Sequence, residues 1–186
     1  MIYIDHQIDQ YNLQAALAVV SPQRRAHALR FRHEHDQRLS VAAYRLLQQA
    51  LSVEYGIEEP PVFEFEAQGK PKIVGQSHIH FSLSHCHEAA ACAVAGSPIG
   101  IDVESLSSFD ADIVPTVMSE DEQRQIARSA NPRLTFIRLW TMKESLLKMT
   151  GEVMAADIRH VLTNYSLDGV HFHTTIYPEF ICTVCD

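Results

Sequence analysis

The chain has 186 residues, 46% hydrophobic and 20% charged, with seven Gly and eight Pro. Such a chain forms one compact unit or two small halves sharing a core, and disorder, collagen and a long coiled coil are excluded. Fifteen Lys and Arg against 23 Asp and Glu leave a net charge of −8, which argues against general nucleic-acid binding, since that relies on broad attraction to phosphate.

Four cysteines, Cys86, Cys92, Cys182 and Cys185, follow a start that lacks a basic stretch and apolar run. This pattern predicts a reducing cytoplasm rather than a secreted disulfide frame. The longest strongly apolar stretch, Ala89 to Ala95, is far short of the ~20 residues of a membrane span, so no membrane partner is expected.

In chain order, Ser21 to Leu51 reads as one or two helices ending near Gly56. Ser21 can cap, Pro22 fits the first helical position, and Leu39, Ala42, Ala43, Leu46, Leu47 and Leu51 recur at helical spacing. Val62 to Glu66 alternates apolar and acidic residues, which predicts a half-buried strand before the turn Gly69-Lys70-Pro71. Ile79, Phe81 and Leu83 alternate, Ala89 to Ala95 is a small-residue run, and Ile99, Ile101 and Val103 alternate again. Three short antiparallel strands are expected there.

Ser119-Glu120-Asp121-Glu122 has the capping-box spacing, and Asn131-Pro132 should end the helix it starts. A stronger helix is predicted from Arg133 to about Thr150, stopped by Gly151. Val161 to Tyr165 and Val170 to Tyr177 read as strands joined by a turn at Leu167-Asp168-Gly169-Val170. Helix, strands, helices, strands is an α+β order that repeats about once in each half.

Three constellations carry chemistry. In Gly100-Ile101-Asp102-Val103-Glu104 the strand period puts Asp102 and Glu104 on one face and Ile101 and Val103 on the other. Two carboxylates about 7 Å apart at the end of a buried strand call for a positive partner, and a hard divalent ion such as Mg²⁺ suits oxygen ligands. In Trp140-Thr141-Met142-Lys143-Glu144-Ser145-Leu146-Leu147-Lys148, helical spacing aligns Trp140, Glu144 and Lys148 with Lys143 beside them, so Glu144 and Lys148 are expected at a pocket edge. Phe81-Ser82-Leu83-Ser84-His85-Cys86-His87 runs a strand into a polar tip, where Ser84 and His85 could grip a phosphate.

Together these resemble the 4′-phosphopantetheinyl transferases, in particular the longer single-chain type. The resemblance runs in order from Ser21-Pro22 through Phe31 and Asp36, Gly69-Lys70-Pro71, Phe81 to His85 and Ile99 to Glu104, ending with Phe136 through Trp140, Lys143-Glu144 and Lys148. It implies an α+β fold of two pseudo-symmetric halves, each with a small antiparallel sheet and packing helices. The halves would divide as residues 1–98 and 99–186, with the site between them.

The activity implied is transfer of the phosphopantetheine arm of coenzyme A to a serine of an apo acyl or peptidyl carrier protein, with release of adenosine 3′,5′-bisphosphate. By resemblance, Asp102, Glu104 and Glu144 match carboxylates that hold Mg²⁺, or Mn²⁺ in its place. Glu144 also matches a proposed general base, and Lys148 the lysine beside the pyrophosphate. Ser84 and His85 match the pair holding adenosine-side phosphates, and Lys70 with Pro71 the loop over the nucleotide. Arg24 and His27 fall where basic residues reach the 3′-phosphate, a role Arg38 could share.

The duplicated halves imply a monomer. Two departures stand out: Cys86-His87 is bulkier than usual after the Ser-His pair, and Gly151-Glu152-Val153 replaces a frequent Gly-x-Gly. For docking on an acidic carrier, Arg124, Arg128 and Met118 are the candidate flanking residues. The rival readings are a zinc-binding domain using His171, His173, Cys182 and Cys185, a metal cage of His78, His80, His85 and His87, and a carrier-protein-binding domain without activity.

Overall fold

The structure is a computed structural model that describes residues 1–152 and 157–186. The chain opens with β1 (Ile2–Asp5) and α1 (Leu13–Ala18), which Asn12 caps by accepting the Ala15 N–H. Helix α2 (Pro22–Ala28) starts as its sequence demands, with Pro22 in the first turn and Ser21 Oγ accepting the Arg24 N–H at 3.2 Å. Helix α3 (Glu34–Tyr55) ends on Gly56, whose φ of 66° is left-handed backbone that favours glycine.

A two-stranded ribbon follows, β2 (Phe63–Phe65) with β3 (Pro71–Ile73). Then come β4 (His80–His85), β5 (Ala90–Ala95) and β6 (Gly100–Ser105). The helical stretch comprises α4 (Val114–Val117), α5 (Glu120–Arg128) and α6 (Pro132–Thr150). Ser119 and Glu122 close the expected capping box on α5, and Asn131 caps α6 by accepting the Leu134 N–H. The chain finishes with α7 (Val161–Asn164), β7 (Phe172–Ile176) and β8 (Phe180–Cys185).

Two antiparallel three-stranded sheets result, ordered β1-β5-β4 and β6-β8-β7. Each carries one long helix, α3 on the first and α6 on the second, so the α+β halves mirror one another. The small residues of β5 follow from its position. Ala90, Cys92 and Val94 face Leu46, Leu47 and Ala50 of α3, while Ala91 and Ala93 face Ile101, Val103 and Val184 of the other sheet. A strand covered on both faces and pressed by a helix has little room for large side chains.

The seam between the sheets is made by serines. Ser82 Oγ accepts the Ile101 N–H at 3.0 Å and Ser84 Oγ accepts the Val103 N–H at 3.2 Å. Both numbers rise together, so β4 and β6 run parallel, with alternate hydroxyls standing in for ladder carbonyls.

Three expectations need correction. The strand from Gly100 does not extend the antiparallel set formed by its two predecessors; it pairs with β8 and meets β4 through side chains. Val161 to Tyr165 is helical rather than extended, because Val161 and Leu162 bury against Leu146 and Leu147 of α6. A short apolar run fits either backbone, and packing decided this one. The turn at Gly169 forms, with the Val170 N–H donating to Leu167 O at 3.1 Å, but it joins α7 to β7 rather than two strands.

Candidate active site

The site is built where α6 crosses β6. Asp102 and Glu104 share a face of β6, while Ile101 and Val103 enter the core, as the strand period requires. From α6, Lys148 reaches down so that Nζ lies 2.6 Å from Asp102 Oδ1 and 3.0 Å from Ser84 Oγ. Ser84 Oγ also donates to Asp102 Oδ1 at 2.9 Å. Asp102 is 4% exposed, and its other oxygen, Oδ2, is buried without a hydrogen-bond partner among the described residues.

Burial pushes the Asp102 carboxyl above the usual carboxylate range, outweighing the pull of Lys148. Glu104 accepts from the Ser105 N–H and Ser108 Oγ, both at 3.2 Å. Burial and then the charge of Asp102 raise it as well. Glu144 is raised by burial first, then by Asp102 and Glu104, against the opposing influence of Lys148. The three carboxylates thus feel one another across one space.

They do not form a ready cage, however. Among the described residues no three His, Cys, Asp or Glu side chains stand close enough together to hold an ion. The donor set nonetheless fits a hard divalent cation: three oxygen donors that repel one another, one with a buried orphan atom. Gathering them would require Glu104 and Glu144, both only half-buried, to turn toward Asp102.

Beside this pair lies a patch of arginine and histidine side chains. The His85 ring is solvent-accessible at the end of β4, yet the surrounding protein, then Lys148, Arg24 and His27, hold its pKa below the ordinary histidine value, opposed by Asp36. His27 is likewise lowered, by partial burial and by Arg24 and Arg30. Arg24 is clamped: its guanidinium donates to Ser40 Oγ at 3.1 Å and lies 5.2 Å over the Tyr44 ring and 5.8 Å over Phe63. A cavity of about 360 Å³ opens here, lined by Arg24, His27, Arg30, Phe63, Phe65 and Leu83.

A second cavity, of about 180 Å³, is bordered by Lys70, Pro71, His80 and Met149. Lys70 Nζ donates to Met149 O at 2.6 Å, tying the β2–β3 turn to the end of α6. Burial lowers the Lys70 pKa. Arg38 is engaged elsewhere, with Tyr11 O at 3.2 Å and Glu34 at 2.6 Å, so it does not share the Arg24 patch.

Several sequence-based placements change. Ser84 has its one proton and both lone pairs engaged within the protein and offers no free hydrogen to a phosphate in this arrangement. Lys143, adjacent to Glu144, is fully buried and points away from the site, donating to Glu122 at 2.7 Å and to the carbonyls of Val117, Ile158 and Arg159. Trp140 stacks on Phe136 within an apolar cluster rather than facing the carboxylates. Met118 is 0% exposed and offers no open contact to a partner, whereas Arg124 stays exposed beside Asp121 and Glu120.

The zinc alternative loses its geometry. Cys182 and Cys185 lie in separate core clusters, and burial pushes both thiols up to about 12. The histidine pairs also separate: His78 meets Tyr55, and His87 stacks on His35 at 4.5 Å. The Cys86 thiol turns to Glu88, so the bulk after the Ser-His pair is directed off the site. Val153, part of the second departure, lies outside the described residues.

A sequence model of the 4′-phosphopantetheinyl transferase superfamily matches residues 98–182, the span that supplies Asp102, Glu104, Glu144 and Lys148. The chain is 27% identical over 171 residues to the 4′-phosphopantetheinyl transferase Sfp of Bacillus subtilis, covering 90% of this chain and 76% of that one. It belongs to the 4′-phosphopantetheinyl transferase superfamily.

The transferase psf-1 of Bacillus pumilus is 32% identical over 153 residues, 81% of this chain and 66% of the relative. HetI of a Nostoc species is 33% identical over 153 residues, 77% of this chain and 64% of the relative. The N-terminal residues Arg24, His27, Lys70 and His85 of this phosphopantetheinyl transferase fall outside the family-model match; Arg24, His27 and Lys70 line the two cavities, and His85 does not. No helix among its described residues is long and apolar enough to cross a membrane.

Proposed function

We propose that this phosphopantetheinyl transferase moves 4′-phosphopantetheine from coenzyme A to a serine hydroxyl of an apo acyl or peptidyl carrier protein and releases adenosine 3′,5′-bisphosphate. Supporting this reading above all is the Lys148–Asp102 contact at 2.6 Å, which seats a cation against a buried carboxylate with an orphan oxygen. The two halves, 1–98 and 99–186, would each contribute one side of the site. The protein would act as a monomer in the cytoplasm.

In this reading the serine oxygen attacks the phosphorus that carries pantetheine. The bond from that phosphorus to the bridging oxygen breaks, and the nucleoside bisphosphate leaves. Glu144 takes the hydroxyl proton, directly or through water; burial and two neighbouring carboxylates raise its affinity for one in the metal-free protein, and a bound cation would offset part of that rise. Lys148 stands where negative charge develops on the departing phosphate and can stabilise or protonate it. Asp102, Glu104 and Glu144 would hold Mg²⁺ or Mn²⁺, and the bound ion would neutralise non-bridging phosphate oxygens.

Arg24, His27 and His85 would take the 3′-phosphate side of coenzyme A, with Lys70 closing over the nucleotide. The aromatic walls Phe63 and Phe65 suit a flat base. With a net charge of −8 the protein cannot attract an acidic carrier globally, so docking uses local contacts.

A mass-shift assay with coenzyme A, Mg²⁺ and a set of purified apo carrier proteins tests the reading. At least one acyl or peptidyl carrier should gain the phosphopantetheine mass, and failure on all of them would overturn it. In the same assay Arg24→Ala and His27→Ala should each raise KM for coenzyme A about tenfold, the worth of one charge-assisted hydrogen bond, with kcat little changed. A fall in kcat alone would place these residues elsewhere.

A further inference from the structure

We propose that Ser84 is a positioning residue for the transfer reaction, fixing Asp102 and Lys148 relative to one another, rather than a phosphate ligand. This rests on the functional reading above and gives Ser84 a different role within it.

A serine hydroxyl has one hydrogen and two lone pairs. In Ser84 the hydrogen goes to Asp102 Oδ1 at 2.9 Å, one lone pair takes the Val103 N–H at 3.2 Å, and the other takes Lys148 Nζ at 3.0 Å. One oxygen therefore links β4, the backbone of β6 and the tip of a side chain from α6. The residue is 8% exposed, so water competes little for these bonds.

The consequence falls on Asp102. Its Oδ1 receives both Ser84 and Lys148, and this leaves Oδ2 as the buried atom with no partner. Without the Ser84 hydrogen bond, the carboxylate would be free to rotate and spend Oδ2 on Lys148. The ammonium would then lose one acceptor and its fixed direction. A displacement of this kind costs rate more than binding, because reacting groups must be held in productive geometry.

The fold supplies its own control. Ser82, two residues earlier on the same strand, makes the equivalent seam bond to the Ile101 N–H at 3.0 Å. Both serines are buried and both brace the same junction between the sheets. Only Ser84 also touches the charged pair. A purely structural role would make the two alanine variants alike.

The test compares Ser84→Ala, Ser82→Ala, Ser84→Thr and Asp102→Asn for transfer kinetics, thermal midpoint and coenzyme A affinity by calorimetry. Ser84→Ala should lower kcat by about tenfold or more while KM and coenzyme A affinity stay within about twofold. Ser82→Ala should lose similar thermal stability with kcat near wild type, and Ser84→Thr, which keeps the hydroxyl, should recover most of kcat. A weakened coenzyme A affinity with intact kcat in Ser84→Ala would make Ser84 a phosphate ligand and overturn the proposal. Equal kcat losses in Ser82→Ala and Ser84→Ala would reduce Ser84 to a structural brace. An inactive Asp102→Asn beside an unaffected Ser84→Ala sinks the positioning role alone, whereas an active Asp102→Asn sinks the functional reading beneath it.

Discussion

Glu144→Gln is expected to lower transfer by a factor of about 10²–10⁴, the usual worth of a positioned proton acceptor, while leaving the metal-free protein more stable. Burial, then Asp102 and Glu104, raise the Glu144 carboxyl above its ordinary value. The native state therefore binds a proton more tightly at this group than the unfolded chain does. Between the ordinary carboxylate value of about 4.3 and the raised native value, the native state holds more protons, and stability falls as pH rises through that window. Above it the full cost of the buried charge is present. Removing the charge with Gln removes that cost, so the variant should melt above wild type at neutral pH when no metal is bound.

Thermal unfolding in chelator should accordingly show wild type gaining stability as pH falls from neutral through the raised native value, with a smaller gain for Glu144→Gln. Added Mg²⁺ should stabilise wild type more than the variant, since the ion binds only the folded arrangement of carboxylates. Glu104→Gln should move stability the same way. Asp102→Asn should not, because it strands the Lys148 ammonium whose partner lies 2.6 Å away. A Glu144→Gln protein that transfers at wild-type rate, or that melts lower in chelator, would contradict the assignment.

Legibility differed between residues for physical reasons. The local signals were sound: Ser119 with Glu122, Asn131 with Pro132, and Gly56 and Gly151 mark helix ends through bonds made within a few residues. The alternation that put Asp102 and Glu104 on one face also held, because it is a property of the strand itself. What the sequence did not show was that the two lysines five positions apart on α6 point to different partners. Lys143 and Lys148 look alike in sequence, yet one is a buried tie to Glu122 and three carbonyls and the other meets Asp102.

That difference depends on α5 and on residues 158–159 packing against one side of α6 and β6 against the other. The hydrogen-bond partners of Ser84 were hidden for the same reason. Its polar neighbours are 18 and 64 residues away in the chain, so only the assembled seam reveals that its hydroxyl is fully used. Val161 failed differently: a short apolar run carries no period, and α6 selected the helix. The one trace of the seam visible in the sequence was serine at alternate positions, 82 and 84, between the apolar residues Phe81 and Leu83.

The largest loss of stability is expected from Gly100→Ala. A Cβ placed on Gly100 would lie 1.8 Å from Ser145 O and 2.7 Å from Met149 N, both backbone atoms of α6. No rotamer change relieves an overlap with backbone, so strand and helix must separate. Overpacking that forces such a shift costs about 3 kcal/mol or more, against roughly zero for Gly96→Ala, where nothing lies within 4 Å. The two atoms that block the methyl group belong to the residues immediately after Glu144 and Lys148. Displacing α6 at those points moves the base and the cation away from Asp102, two residues along β6 from the substituted glycine. Urea unfolding should show a midpoint well below wild type for Gly100→Ala and an unchanged one for Gly96→Ala. Transfer by the folded fraction of Gly100→Ala should fall as well, since the glycine sets the distance between β6 and α6 on which the Lys148–Asp102 contact depends. A Gly100→Ala protein as stable and as active as wild type would mean that the helix and strand do not meet at this distance.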